Sequence, residues 1–191
     1  RAGIDDRRLH PAHTASCTWT ISWFAPMPTI AFEALDYRAD QSFARVHYRF
    51  VGDERSGWRV ERDGRTALEL GAGYRALQVR HCGVCSTDLA RHFLPFPLPQ
   101  VIGHEVLAVD EHGRRFVVEI NASHAARGVA HECAFCRAGL PTHCPQRIVL
   151  GIHDLPGGFA PWILAPVAAC LEVPANVPDA AAVLVEPFAA A

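Results

Sequence analysis

The chain has 191 residues, half of them hydrophobic and a fifth charged, which suits one globular domain or one domain plus an appendage. Lys and Arg number 18 against 20 Asp and Glu, so the net charge of −2 gives no electrostatic reason to expect a nucleic acid or an anionic membrane as partner. No apolar run reaches the roughly 20 residues that a membrane-spanning helix needs.

The number and clustering of the cysteines indicate whether the protein resides in an oxidising or a reducing compartment. A secreted disulfide framework more often shows an even number of cysteines in a smaller chain, and the N-terminus carries no convincing signal peptide. We therefore expect a cytoplasmic location, where clustered cysteines usually bind metal or act in catalysis. The seven cysteines are Cys17, Cys82, Cys85, Cys133, Cys136, Cys144 and Cys170.

Residues 1–26 differ from the rest of the chain because they show neither a period of 2 nor one of 3.6. Met27 is the only methionine, and directly after it "PTIAFEALDYR" begins an alternating, strand-like pattern. We predict that residues 1–26 are a non-native or disordered leader outside the fold, and that Met27 is the natural start.

Short strands are predicted from residue 27 to about 120, where Val, Tyr, Phe and Leu recur at every second position and Gly or Asp closes several segments. "DEHGRR" between two of them is a plausible hairpin turn. Many short strands at regular spacing predict a barrel or a sandwich. The segments are ARVHYRFV (44–51), GWRVERDG (57–64), YRALQVRHCG (74–83), HEVLAVDEHG (104–113) and RRFVVEI (114–120).

The last third of the chain is less regular. Residues 121–147 are predicted to be a loop rich in Cys, His and Gly, after which "GGFAPWILAP" resumes strand character. Residues 177–191 indicate the start of a helix that Pro187 interrupts.

A first candidate metal site joins "HCGVCSTDL" (81–89) to "VIGHEV" (101–106). Zinc prefers cysteine sulfur and histidine nitrogen, and a catalytic zinc keeps three protein ligands and one open position. Cys85 and His104 are candidates for two of the ligands. Glu105 and Glu186 are the carboxylates available for the third.

Two polar residues after Cys85 have candidate supporting roles. Asp88 is placed to orient a metal ligand, and the Thr87 hydroxyl is placed to pass a proton away from the site.

Other interpretations of the two cysteines remain open at this point. A thioredoxin-like redox pair would also use Cys82 and Cys85, but no βαβ pattern surrounds them. Free cysteines are often buried, so we interpret Cys82 as a packing residue. The spacing alone does not distinguish a Cys85–His104 site from chance.

A second candidate metal site lies in "HECAFCRAGLPTHCP", where Cys133, Cys136 and Cys144 follow a C-x2-C-x7-C spacing. A closed structural zinc needs a fourth ligand, and the nearby candidates are His124, His131, Glu132 and His143. A partial site, or a reduced loop held by packing, is the alternative.

Five segments resemble one family in order: "CGVCSTD", "GHE", "CAFCRAGLPTHCP", "GGFAPWIL" and "VEPFAAA". The chain is similar to the zinc-dependent medium-chain alcohol dehydrogenases from about residue 66 to 191, whereas residues 27–65 fit only loosely. The resemblance implies a mainly β fold with short helices, a GroES-like, partly open β-barrel truncated before the Rossmann domain. Residues 27–180 would form this catalytic domain, with a zinc loop at 121–147. Residues 181–191 would begin the connection to an absent nucleotide-binding domain.

The resemblance assigns roles by position in the family's motifs. The residues that match zinc ligands or their acidic neighbours are Cys85, His104, Glu105, Glu186, Cys133, Cys136 and Cys144. Thr87 matches the hydroxyl of the proton relay, and Asp88 matches an acid behind the ligands. One departure concerns the structural zinc, because its first cysteine falls at Ala130. Either His131 or His124 would have to replace that thiolate.

The activity implied by the resemblance is hydride transfer from an alcohol to NAD or NADP, with a zinc ion at the first site. The substrate would be a small alcohol, polyol or sugar, and the full-length enzyme would be a homo-oligomer. No strand–GxGxxG–helix fingerprint occurs in the 191 residues, so this chain alone is expected to be inactive. The alternative is a non-catalytic zinc-binding or GroES-like structural module.

Overall fold

The computed structural model describes residues 28–127 and 133–191, which form a mainly β structure with short helices, as predicted. The leader predicted for residues 1–26 lies outside the described residues, and so do Ala130 and His131.

Most strands arise where the sequence alternates between apolar and polar residues. The alternating segments named above all contain strands, whereas β4, β8, β9, β10 and β12 were not predicted. The strands are β1 Thr29–Tyr37, β2 Phe43–Asp53, β3 Gly57–Arg62, β4 Arg65–Leu70, β5 Tyr74–Gly83, β6 Glu105–Val109, β7 Arg115–Val118, β8 Asn121–Ala122, β9 Ile148–Leu150, β10 Asp154–Leu155, β11 Trp162–Pro166 and β12 Cys170–Glu172.

The helices of the described residues are all short: α1 Ser86–Leu89, α2 His124–Arg127, α3 Ala134–Arg137, α4 Asp179–Ala182 and α5 Val185–Ala190. The helix predicted near the C-terminus is broken before α5, and Pro187 lies in the first turn of α5, where its missing N–H removes no intrahelical hydrogen bond. In the described part of the chain, no helix has both the length and the apolar character needed to cross a membrane.

Two antiparallel sheets form the body of the fold. The first is a meander in the order β1-β2-β3-β4, and the second has the order β11-β5-β6-β7-β12. A third, small sheet of β10, β9 and β8 lies where the chain enters and leaves the Cys-rich segment. The candidate metal sites lie at the ends of the strands of the second and third sheets.

The main core fills the space between the sheets. Alternate residues of β2, among them Val46, Tyr48 and Phe50, are buried in it, which fixes the register because a one-residue slip would expose them. A smaller apolar cluster of Leu107, Val117, Val173 and Ala182 holds the C-terminal segment against the second sheet.

A backbone bridge joins the first sheet to the segment that precedes His104. The N–H of Tyr37 donates to the carbonyl of Gln100 at 2.8 Å, and the N–H of Gln100 donates back at 3.1 Å. The buried Gln100 amide also donates to the carbonyl of Leu155 at 2.9 Å. These bonds place the strand end of the first sheet beside the approach to the first metal site.

A buried polar triad connects β1, β2 and β3. The Asp36 carboxylate is fully buried; it accepts a hydrogen bond from the Tyr48 hydroxyl at 2.7 Å and forms an ion pair with Arg62. Burial, followed by the hydrogen bond to Asp36, raises the pKa of Tyr48, so its hydroxyl stays a donor. The buried charge is stabilised only while both partners are present.

We expect Arg62→Ala to lower the free energy of unfolding by about 3 kcal/mol, because it leaves Asp36 buried without a cation. Urea denaturation measures the loss. The matched control is Arg45→Ala, which breaks the exposed ion pair with Glu33 and should cost less than about 1 kcal/mol. Equal losses in the two variants would contradict the structural role of the triad.

Candidate metal centres

The first site forms because β5 and β6 are antiparallel neighbours. β5 ends at Gly83 and β6 begins at Glu105, and these two residues pair directly. The chain after Gly83 and the chain before Glu105 therefore emerge side by side. As a result, Cys85 Sγ lies 3.1 Å from His104 Nε2, although 18 residues separate them in sequence.

Asp88 fixes both ligand-bearing segments. Its Oδ2 accepts a hydrogen bond from the N–H of Cys85 at 3.0 Å, and its Oδ1 accepts one from the N–H of Gly103 at 3.1 Å. Oδ1 also lies 3.5 Å from His104 Nδ1, at the outer limit of a hydrogen bond. With Nδ1 of His104 facing Asp88, Nε2 faces Cys85, and the orienting role of Asp88 stays a prediction.

Two glycines give the site its space. Gly103 has a φ of +94°, and a Cβ there would lie 2.7 Å from Cδ1 of Phe159. A Cβ at Gly83 would lie 2.1 Å from Oε2 of Glu105. A side chain at Gly103 would therefore clash with Phe159 and Cys82, and one at Gly83 would clash with Glu105.

Both candidate carboxylates reach the site from different elements. Glu105 is buried at the start of β6, and Glu186 is half-buried in α5. Ligand atoms of His104, Glu105 and Glu186 all lie within 4.8 Å of one another, and the same holds for Cys85, Asp88 and His104. The two groups share His104, but Cys85 is grouped only with Asp88 and His104, and the two glutamates are grouped only with His104. One zinc ion bound by Cys85, His104 and a glutamate stays a prediction.

The charges of the site affect one another. Burial acts to lower the pKa of His104, but Asp88, Cys85 and Glu186 outweigh it and raise that pKa to about 9. Burial raises the pKa of Glu186. The charge of His104 acts to lower that pKa, and the charge of nearby Glu105 acts to raise it. In the metal-free chain, His104 therefore carries the proton that a metal ion would displace.

Thr87 and Cys82 lie on either side of Cys85 in sequence. Thr87 is half-buried, and its backbone N–H donates to Cys85 Sγ at 3.2 Å. Cys82 packs against the main core, and burial, then the charges of Asp88 and Glu105, raise its pKa to about 12. A redox pair needs a low-pKa thiol, so this environment argues against that use of Cys82.

The second site gathers four ligands. Ligand atoms of His124, Cys133, Cys136 and Cys144 all lie within 4.8 Å of one another. Among the described residues, His124 is thus the histidine that lies with the three cysteines, and Ala130 and His131 are outside the described residues.

The surroundings of His124 fix which ring nitrogen faces the cysteines. Nε2 lies 2.7 Å from Oε1 of Gln146, which makes it the protonated nitrogen and donor. Nδ1 is then free to accept, and it receives the N–H of Cys133 at 3.3 Å. The sequence did not identify Gln146, although its position two residues after Cys144 is a signal that could have suggested it.

The Cys133 thiol is prepared for metal binding. The backbone N–H of Cys136, with His124 and the two neighbouring thiols, lowers the pKa of Cys133 to about 6, despite the opposing effect of desolvation. Burial raises the pKa of Cys136. Cys133 is therefore more readily ionised than Cys136, and thiolates are the form that binds zinc.

Both donor sets fit zinc. The first offers one sulfur, one imidazole nitrogen and carboxylate oxygens, and the second offers three sulfurs and one nitrogen. Zinc binds sulfur at ~2.3 Å and nitrogen at ~2.0 Å, so the 3.1 Å between Cys85 Sγ and His104 Nε2 is compatible with one shared ion.

Comparison with known proteins identifies relatives of this chain. Residues 71–175 match the family described as the alcohol dehydrogenase GroES-like domain. L-threonine 3-dehydrogenase of Aeromonas hydrophila is 31% identical over 134 residues, which cover 64% of this chain and 38% of that protein. The enzyme of the same name from Edwardsiella ictaluri is 30% identical over 131 residues and is likewise covered to 38%. The chain thus spans well under half the length of these relatives.

Solved structures show the same fold. An alcohol dehydrogenase of Escherichia coli CFT073, solved with NADH, has a TM-score of 0.56 at 25% identity, over 83% of this chain and 43% of that one. L-idonate 5-dehydrogenase of Escherichia coli K-12 has a TM-score of 0.63 at 15% identity, over 86% of this chain and 46% of that one. The predicted GroES-like architecture is confirmed.

We expect Asp88→Asn to lower the free energy of unfolding by about 1–3 kcal/mol, because the amide keeps one acceptor oxygen for two buried N–H groups. Burial acts to raise the pKa of Asp88, but nearby His104 and the N–H groups of Cys85 and Gly103 lower it overall. The contribution is therefore present above the unfolded-state pKa of ~3.9 and is lost as pH falls below that value.

Urea denaturation at pH 7 and pH 3 checks the expected loss and its pH dependence. Ser86→Ala, an exposed change in the same helix, is the control and should leave stability within about 0.5 kcal/mol. A difference between wild type and Asp88→Asn that is as large at pH 3 as at pH 7 would contradict a charged Asp88.

Proposed function

The chain belongs to the family of zinc-dependent medium-chain alcohol dehydrogenases, whose GroES-like domain it contains, and from this membership we propose that it binds and activates an alcohol for hydride transfer. The observation that carries the proposal is the 3.1 Å approach of Cys85 Sγ to His104 Nε2, with Asp88 bonded to both segments. An isolated packing cysteine would not need a buried carboxylate to orient it together with a histidine.

Cys85 and His104 are the proposed zinc ligands, and Glu105 and Glu186 are the carboxylates that complete the set. A zinc ion held there would supply Lewis-acid polarisation of the alcohol oxygen. Asp88 keeps the His104 ring in the orientation that presents Nε2. Glu105 is buried beside His104 and contributes negative charge.

Thr87 is the proposed carrier of the alcohol proton. Its N–H is bonded to Cys85 Sγ, which holds the residue against the ligand side of the site while its side chain stays half-buried. A hydroxyl is both donor and acceptor, so it can receive the substrate proton and release its own to water.

The hydride acceptor would be NAD or NADP, bound by residues beyond these 191. The chain covers 38% of L-threonine 3-dehydrogenase of Aeromonas hydrophila, and its sequence has no GxGxxG fingerprint. The proposal therefore includes that the 191-residue chain does not by itself oxidise alcohols. Polyols, sugars and amino alcohols are the proposed substrates, and a homo-oligomer is the proposed assembly. The proposed location is the cytoplasm, which suits the six cysteines of the described residues, all of them free.

The second site is proposed to hold a structural zinc ligated by His124, Cys133, Cys136 and Cys144. Four ligands with no open position make a closed site, which stabilises a loop but leaves no place for a substrate. His124 belongs to α2, next to β8, so zinc would tie the Cys-rich segment to the third sheet. A non-catalytic zinc-binding module could also have this second site. Zinc binding at the first site is therefore what distinguishes the dehydrogenase from such a module.

We expect wild type to bind about two zinc ions per chain and Cys85→Ser about one, because Cys85 serves only the first site. Cys133→Ser should also bind about one, since it removes a ligand of the second site. Atomic absorption on dialysed protein measures the zinc content. An unchanged zinc content in Cys85→Ser would contradict the assignment of the first site as a dehydrogenase zinc site and would favour the zinc-binding module.

We expect His124→Ala to weaken zinc at the second site by roughly 100-fold or more, since it removes a ligand, while His124→Cys restores a four-thiolate site. Competition against a chromophoric zinc chelator measures the affinity. His143→Ala is the matched control, because His143 is exposed in the same segment and packs against Phe135. Equal affinities in His124→Ala and His143→Ala would contradict the assignment of His124.

A further inference from the structure

We propose that Arg115 is a positioning residue that sets Glu186 in the first metal site by fixing the segment that leads to α5. The inference rests on the proposed function, because it assumes that zinc binds at Cys85 and His104. It explains how a ligand on a short C-terminal helix is brought to a site built on the second sheet.

Arg115 makes an unusual number of contacts for a residue at the start of a strand. Its Nη1 donates to the carbonyl of Val177 at 2.8 Å and to Asp179 Oδ1 at 2.6 Å. Its Nη2 donates to the carbonyl of Pro174 at 2.8 Å, with a longer contact to that of Ala175 at 3.4 Å. One guanidinium thus holds the stretch from Pro174 to Asp179, the first residue of α4, through four of its residues.

The rest of the attachment is mainly apolar. Ala182 and Val173 are the buried apolar residues of this segment, and they pack on Leu107 and Val117 of the second sheet. The N–H of Val173 also donates to the carbonyl of Arg115 at 2.8 Å, a backbone bond that Arg115→Ala keeps. Deleting the guanidinium therefore leaves this cluster, one backbone bond and the contacts of α5 to hold the segment. The Arg115–Asp179 pair is only partly exposed, which makes it stronger than an average surface ion pair.

The contacts of Arg115 affect the position of Glu186 but not the positions of the other proposed ligands. Cys85 and His104 are held by Asp88 and by the β5–β6 pairing, neither of which involves the C-terminal segment. Glu186 lies seven residues after Asp179, in α5, which contacts β6 and β7. Its distance from His104 is therefore set by where α4 and α5 sit, and Arg115 fixes that position.

His81 and Arg80 are other basic residues near Asp179. Nε2 of His81 lies 3.4 Å from Asp179 Oδ2, so Asp179 is bridged from β5 as well as from β7. His81 is more than half exposed, and Arg115 makes the shorter contact, so Arg115 is the principal partner.

The test measures zinc at each site separately. A zinc-bound thiolate is protected from iodoacetamide, and peptide mass spectrometry reports alkylation of Cys85 and Cys136 in the same sample across a series of buffered free-zinc concentrations. We expect Arg115→Ala and Asp179→Asn to raise the free zinc needed for half-protection of Cys85 by roughly 10-fold or more. The half-protection of Cys136 should not change.

A double-mutant cycle shows whether Arg115 acts through Glu186. Glu186→Gln should itself weaken protection of Cys85, and adding Arg115→Ala should then cost little more, because the ligand it positions is already gone. Additive losses would overturn the inference. Arg114→Ala is the matched control, since Arg114 pairs with Asp110 in its own turn, and it should behave as wild type at both cysteines.

Other outcomes separate the inference from the function on which it rests. Wild-type protection of Cys85 in Arg115→Ala would overturn the inference and leave the zinc site intact. Loss of protection at both Cys85 and Cys136 in that variant would show general loosening and also overturn it. If Arg115→Ala does not fold, Asp179→Asn decides, because it keeps the carbonyl contacts of Arg115. Absence of zinc protection of Cys85 in wild type would overturn the proposed function, and the inference with it.

Discussion

The antiparallel pairing of β5 with β6 is the constraint on which the first site depends. It brings residues 85 and 104 to the same edge of the sheet, where Asp88 then satisfies one backbone N–H from each segment. The geometry of Cys85 and His104 is thus a property of the backbone hydrogen-bond network. A carboxylate placed on that network can orient an imidazole without any flexible loop having to close.

The two candidate metal centres differ in which parts of the fold supply their candidate ligands. The first has candidate ligands at strand ends and one candidate on a distant helix, so the fold itself sets most of its geometry. The second has Cys133, Cys136 and Cys144 in a turn-rich segment and only His124 beside a sheet. Thiolates gathered in this way repel one another, so metal binding there would be more strongly coupled to local folding.

The alternating segments identified most long strands, because period-2 burial is visible in the sequence of β1, β2 and β5. Short strands such as β8 and β10 were missed because two residues carry no period. Cys85, Asp88 and His104 could be predicted from the sequence because their side chains are typical of zinc sites and stand in short motifs. Long-range partners had no such signal: Arg115 and Asp179 lie 64 residues apart, and only the folded chain shows that they meet. His124 and His131 are equal candidates in the sequence; the structure places His124 with the cysteines, and His131 lies outside the described residues.

The backbone bridge between Tyr37 and Gln100 has a consequence for how this chain can diverge. Its two hydrogen bonds use only main-chain atoms, so they do not depend on which side chains the first sheet carries. The family match begins at residue 71, beyond that sheet, although residues 29–70 keep a four-stranded order. The first sheet can therefore accumulate substitutions on its outer face while these two backbone bonds to the segment before His104 stay the same, so such substitutions need not move Cys85 or His104.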